Sequence, residues 1–184
     1  MKLKLMSLLV ICSFLFFACE DQAIPKPKAQ IRLEYPEGPL SNLEMDDFKF
    51  QYNGLATPDL DSENAFSLIY PEMKGAIFLS YKKVNGNLEK LITDARRLSY
   101  EHAVKADNIV EQPYVNPDKK VYGSLFEVQG NAASQSQFFV TDSTEHFLTG
   151  SVYFYTKPNY DSILPAAAYL QNDIRGIIET LEWK

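Results

Sequence analysis

Apolar and polar residues alternate along much of this chain, and the period of the alternation predicts its elements. IRLEYP sets Ile31, Leu33 and Tyr35 on one side and stops at Pro36, and FKFQY does the same with Phe48, Phe50 and Tyr52. Both predict half-buried strands. FSLIYPEMKGAIFLSYKKV holds two strand-like runs, Phe66 to Tyr70 and Ala76 to Val84, around a turn containing Pro71 and Gly75, which predicts a hairpin. The period then lengthens. In NLEKLITDARRLSYEHAVKAD, Leu88, Leu91, Ile92, Ala95, Leu98, His102 and Ala106 follow steps of three and four, with Asn87 available as N-cap, so an amphipathic helix is predicted. IVEQPYV, KKVYGSLFEVQG, SQFFVTD and EHFLTGSVYFYTK, rich in β-branched and aromatic residues and separated by turn formers, read as consecutive antiparallel strands. NYDSILPAAAYLQNDIRGIIETLEWK returns to helical spacing through Ala167, Leu170, Ile174, Ile177, Ile178 and Leu181. Asp161 and Ser162 are its capping candidates, and Pro165 is expected in its first turn. Gly176 costs roughly 1 kcal/mol in mid-helix relative to Ala, so a close contact on that face is expected.

Several of these strands are apolar on both sides. Ile77 and Leu79 oppose Ala76 and Phe78, and Val121 and Leu125 oppose Tyr122, Phe126 and Val128. Such a sheet must be covered on both faces. The expected fold is therefore α+β, a mostly antiparallel sheet flanked by two long helices as an α/β/α sandwich. Its element order resembles the Mog1/PsbP-like fold.

The first residues break the pattern. MKLKLMSLLVICSFLFFAC has two lysines, then an apolar run from Leu5 to Phe17 too short to span a bilayer comfortably, then Ala18 before Cys19. This is the order of an export signal, and FFAC resembles the lipobox of bacterial lipoproteins, with Phe16 where Leu is usual. The reading is a lipoprotein signal peptide over residues 1–18, a lipidated tether over 19–30 and a single globular domain over 31–184. Cys19 becomes the acylated N-terminus. Cys12 leaves with the signal peptide, so no thiol remains for a disulfide, a metal or catalysis. EDQAIPKPKAQ is polar and proline-interrupted, an extended tether whose Glu20 to Ala29 reach at most roughly 35 Å.

Composition narrows the function classes. The 184 residues carry 24 acidic against 18 basic side chains, a net charge of −6, and loss of Lys2 and Lys4 makes the remainder more acidic. No basic surplus is available for nucleic acid. TDSTEHF, residues 141–147, invites a hydrolase reading with Ser143 and His146, but a polar turn between the strands ending at Val140 and starting at Phe147 accounts for it better. The only histidines, His102 and His146, suit a boundary or core role better than a metal site, and no glycine pattern cradles a phosphate. Catalytic residues, metal ligands and cofactors are all expected to be none. Tyr153, Tyr155 and Tyr160 leave open a stacking platform for peptidoglycan or a surface polysaccharide, against the commoner role of strand aromatics in a core. GNAASQSQ reads as a loop available to a partner, with Asn131 in a turn.

VYGSLFEVQGNAASQSQFFVTDSTEHFLTGSVYF, PNYDSILP and DIRGIIETLEWK together closely resemble the gliding motility lipoprotein GldD family of Bacteroidota; GNAAS, TDST with HFL, and PNYDS are the most specific pieces. The resemblance implies a non-enzymatic, stabilising component of surface gliding and the linked type IX secretion machinery. Its implied partners are other envelope lipoproteins and motor-complex proteins. It implies a lipid anchor in the cell envelope, facing the periplasm, and carries a defined role only to Cys19. Thr149 stands where many relatives have Arg, and Ala29 where many have Gly. Asp46 and Asn64 stand near the places of two cysteines in relatives, so a structural disulfide is absent here.

Overall fold

A computed structural model describes residues 34–60, 62, 64–101, 105–156 and 159–184, and these belong to the unit Ile31–Lys184. In chain order the elements are β1 (Leu40–Glu44), β2 (Phe48–Asn53), β3 (Thr57–Asp59), β4 (Ala65–Tyr70), β5 (Gly75–Lys83), α1 (Leu88–Tyr100), β6 (Ala106–Asn116), β7 (Val121–Gly130), β8 (Ser136–Thr141), β9 (His146–Phe154), α2 (Tyr160–Thr180) and β10 (Glu182–Trp183). Seven strands pair in the order β3-β4-β5-β9-β8-β7-β6, and β1, β2 and β10 form a second, smaller sheet. Every pairing is antiparallel.

The two-sided apolarity of the strands divides the core. On one face Ile77, Leu79, Leu125, Phe138, Val140, Leu148 and Val152 meet Leu170, Ile174 and Ile177 of α2 together with Phe48 and Phe50 of the small sheet. On the other face Phe126, Phe139 and Phe147 meet Leu91, with Leu88, Ile92 and Ala95 packed around them. Burying each such side chain fully contributes about 1.5–3 kcal/mol, so both layers are held chiefly by these stripes.

The fold is α+β and mostly antiparallel, with two helices. Two long helices flanking the sheet are not what forms. α1 has 13 residues against 21 in α2. It leaves part of its face open, where Phe78 is 41% exposed, and a small sheet shares the other face with α2. α1 stops at Tyr100, and Ala106 already belongs to β6. Leu98, expected on the buried stripe, is 49% exposed. Ser99 is buried in its place, its hydroxyl donating to Gln137 Oε1 at 3.0 Å. Asn87 sits at the N-cap without capping; its side-chain oxygen accepts from Asn85 N instead.

Of the strand expected at residues 31–35, Ile31 and Leu33 lie outside the described residues, as do Cys19, His102, the signal peptide and the tether. Tyr35 is in an irregular segment, its ring edge-on to Tyr169. Pro165 falls inside α2, beyond its first turn. A methyl group at Gly176 would meet nothing within 4 Å, so the expected close contact is not there.

GNAAS and PNYDS, distant in sequence, come together. The Asn131 side chain accepts a hydrogen bond from Tyr160 N at 2.9 Å, satisfying an orphan donor of the first turn of α2 that Asn159 at the N-cap leaves unmet. The stretch after it is not an exposed loop: Ala132, Ser134, Gln135, Ser136 and Gln137 are buried.

Candidate functional site

The β8–β9 turn shows what TDST does. The Asp142 carboxylate accepts from the backbone N–H of Thr144, Glu145 and His146 at 3.0, 2.9 and 2.8 Å, and from the Thr144 hydroxyl at 2.5 Å. Thr141 Oγ1 donates to His146 O and accepts from Ser143 N, closing the turn from the other side. Ser143 takes the left-handed conformation, φ 71°, that this closure requires. The Thr141 hydroxyl and the Asp142 carboxylate are thus spent on backbone groups, and the Thr144 hydroxyl on that carboxylate.

The same turn delivers His146 to a fixed place. Its Nδ1 lies 2.8 Å from the Tyr81 hydroxyl of β5, and its ring stacks on Trp183 of β10 with centroids 5.1 Å apart and planes 5° apart. Trp183 Nε1 donates to Lys120 O, and Phe48 touches both Tyr81 and Trp183. Burial first, then the charge of Asp47, pushes the Tyr81 phenol well above its ordinary value, so it stays protonated. Ser143 and His146 are not joined as nucleophile and base; the imidazole is engaged by Tyr81 and Trp183 instead.

Two open grooves flank this cluster at one end of the domain. A groove of about 930 Å³ is lined by Asp46, Asp47, Asn64, Tyr81, Lys83 and Leu91 among others. Asp46 and Asn64 therefore face the same space. A second, of about 560 Å³, is lined by Lys120, Asp142, Glu145, His146, Glu182 and Trp183. Ion pairs of both signs cross the rim, Lys83 with Asp47 at 3.2 Å, Lys49 with Glu182 at 2.8 Å and Lys184 with Glu44 at 3.0 Å. Exposed pairs like these contribute little to stability. Among the described residues no group of three His, Cys, Asp or Glu is placed to hold a metal ion.

Asp142 gives this end a pH signature. Burial acts to raise its pKa, and the Thr144 hydroxyl with the N–H groups of His146, Thr144 and Glu145 overcomes it, lowering the value from 3.8 to about 2. A depressed carboxylate contributes stability that is present above its unfolded pKa and lost as pH falls through the folded one. Asp142→Asn is therefore expected to cost about 1–2 kcal/mol at neutral pH. The gap to wild type should close as both are titrated from about pH 4 to about pH 2. Urea midpoints across that range check this; a gap that stays constant to the acid limit counts against it.

The remaining candidates are separate. Tyr153 is half-buried, edge-on to Phe78 at 5.6 Å, while Tyr155 is exposed and Tyr160 begins α2. Thr149 Oγ1 donates to Ser80 O. Beneath α2 lies a polar cluster that the sequence reading missed. Asn53 Nδ2 donates to Tyr169 Oη at 2.7 Å and to Asp173, and Tyr169 donates to Pro36 O at 2.7 Å. Tyr70 Oη is buried and lies within electrostatic reach of Asp173, though it makes no hydrogen bond of standard geometry. Burial raises the pKa of Asp173 despite these neighbours.

The fold and this end define a class: a small α+β domain whose most organised polar region is a rim of mixed charge around buried Tyr81 and His146 and the half-buried Trp183. The family model described as gliding motility lipoprotein GldD matches residues 20–183, and the chain belongs to that family. It is thus a lipoprotein associated with gliding motility, in a family not described as enzymatic. No curated protein and no solved structure matches the chain. No helix among the described residues is long and apolar enough to cross a membrane.

Proposed function

We propose that this protein is held in the cell envelope by acyl chains on Cys19, faces the periplasm, and serves gliding motility and the linked type IX secretion machinery as a non-enzymatic stabilising component. The family match over residues 20–183 carries the reading. It begins at the residue after Cys19, the acylation site that the lipobox resemblance implies. The charged end supplies the contact surface: its His and Tyr are engaged with each other, and its grooves are open, ionic and flanked by strand ends. Other lipoproteins and motor-complex proteins are the partners.

Deleting the gene is expected to abolish colony spreading and the secretion of the machinery's cargo. Complementation with the wild-type chain should restore both and Cys19→Ser should restore neither. A deletion strain that spreads and secretes normally overturns the reading.

A further inference from the structure

We propose that the end of the domain carrying Leu40, Leu55 and Tyr155 rests on the bilayer surface, a noncovalent membrane contact beside the anchor. The inference rests on the lipoprotein reading above.

Strand register puts these residues at one end. Leu40 pairs with Asn53 at the close of the β1–β2 ladder, and Leu55 is in the turn that follows. Thr57, Ile69, Ala76 and Tyr153 form one row across β3, β4, β5 and β9. The turn holding Leu55, the turn at Pro71–Met73 and Tyr155 after β9 all lie just beyond that row. The bond from Tyr155 N to Lys74 O, 2.7 Å, ties the last two together.

The side chains there are apolar and open: Leu40 is 72%, Tyr155 60% and Leu55 40% exposed. Pro36 and Pro39 are exposed beside them. The turn that presents Leu55 is pinned, with Gly54 N donating to Pro39 O at 2.7 Å and Leu55 N to Asn53 Oδ1 at 3.0 Å. Exposed leucines on a fixed turn are suited to enter the boundary between headgroups and acyl chains.

The described residues begin at this same end, with Glu34 and Tyr35. Tyr35 packs on Tyr169 and Pro36 O accepts from the Tyr169 hydroxyl, which fixes where the domain begins. About 15 residues separate Cys19 from Glu34, a reach of roughly 50 Å when extended. Such a tether does not force contact, yet it holds the apolar end near the bilayer at an effective concentration on the order of millimolar, where a weak contact becomes populated. Charge selects the lipid. Glu34, Glu37 and Glu72 are exposed at this end, with Lys74. The surface is therefore zwitterionic, and the contact apolar.

The mature chain has no thiol besides the acylated Cys19, so one introduced cysteine can be labelled alone. The full lipidated protein, carrying Leu55→Cys, Tyr155→Cys or Val115→Cys with an environment-sensitive nitrobenzoxadiazole dye, is bound to phosphatidylcholine and phosphatidylethanolamine vesicles. Val115, exposed on β6, pairs with Tyr122 toward the opposite end and reports water. The labels at 55 and 155 are expected to shift to the blue and to be quenched several-fold by spin-labelled acyl chains, and the label at 115 to do neither. Added phosphatidylglycerol should weaken the quenching. Protein that floats with the vesicles while the label at 55 emits like that at 115 overturns the contact alone. Protein that does not float overturns the anchor.

Discussion

Replacing Gly123 with alanine is expected to destabilise the domain by about 3 kcal/mol or more, the upper range of overpacking in a well-packed interior. A Cβ at this position would lie 1.9 Å from Phe139 O and 2.8 Å from its carbonyl carbon. Those are backbone atoms of the neighbouring central strand, so no rotamer change relieves the contact; β7 and β8 must part. Against a typical total of 5–15 kcal/mol, the loss is a large fraction of what holds the fold. Gly150→Ala meets the Phe138 ring instead, and a ring can move. Gly176→Ala meets nothing and removes backbone freedom from α2, so it should stabilise by about 0.5–1 kcal/mol. Urea unfolding of the three variants orders them; a wild-type midpoint for Gly123→Ala would mean that the two strands are not this close.

Truncating Phe139 to alanine should cost about 3–5 kcal/mol, and it should do so unevenly. The ring is buried, stacked on Phe147 at 5.7 Å and near Phe126 at 6.2 Å, with the Arg96 guanidinium 6.0 Å from its centroid. It is central to the cluster that seats α1, whose other ties to the sheet include the Ser99–Gln137 hydrogen bond, the half-exposed Arg96–Glu111 pair and Tyr100, which reaches Glu111 and the Phe126 ring. α2 and the small sheet pack on the opposite face and do not touch this cavity. Hydrogen exchange of the Phe139→Ala protein is therefore expected to show α1 amides losing protection before those of β5 and β9. Equal loss in all three would show that the two cores unfold as one.

Long periodic segments were legible because their signal is set by local burial alone. The hairpin of β4 and β5, the four strands β6 to β9 and both helices follow from apolar spacing. Short elements were not. β1, β3 and β10 have five, three and two residues, and owe their pairing to neighbours rather than to their own pattern. Helix starts went unread where the capping groups found other partners: Asn131 serves the start of α2 from a distant loop, and Asn87 turns back to its neighbour Asn85 instead of to α1. The polar turn read from TDSTEHF between the two strands is the one that forms. What pattern reading had no access to was His146 meeting Tyr81 and Trp183, because that requires β5, β9 and β10 to end side by side. The lone Trp after a predicted helix was the available hint.

The pairing of β10 with β2 sets a timetable for the molecule. Glu182 lies opposite Lys49 and Trp183 opposite Phe48, and Lys184 N donates to Asp47 O, so residues 182–184 complete a sheet begun more than 130 positions earlier, at β2. Synthesis runs from the N-terminus, so β10 is made long after the β2 it pairs with. The small sheet, the His146 stack and the grooves beside it can close only once residues 182–184 have been made. A reporter fused directly after Lys184 would stand at the rim of the second groove, beside the strand whose pairing closes it.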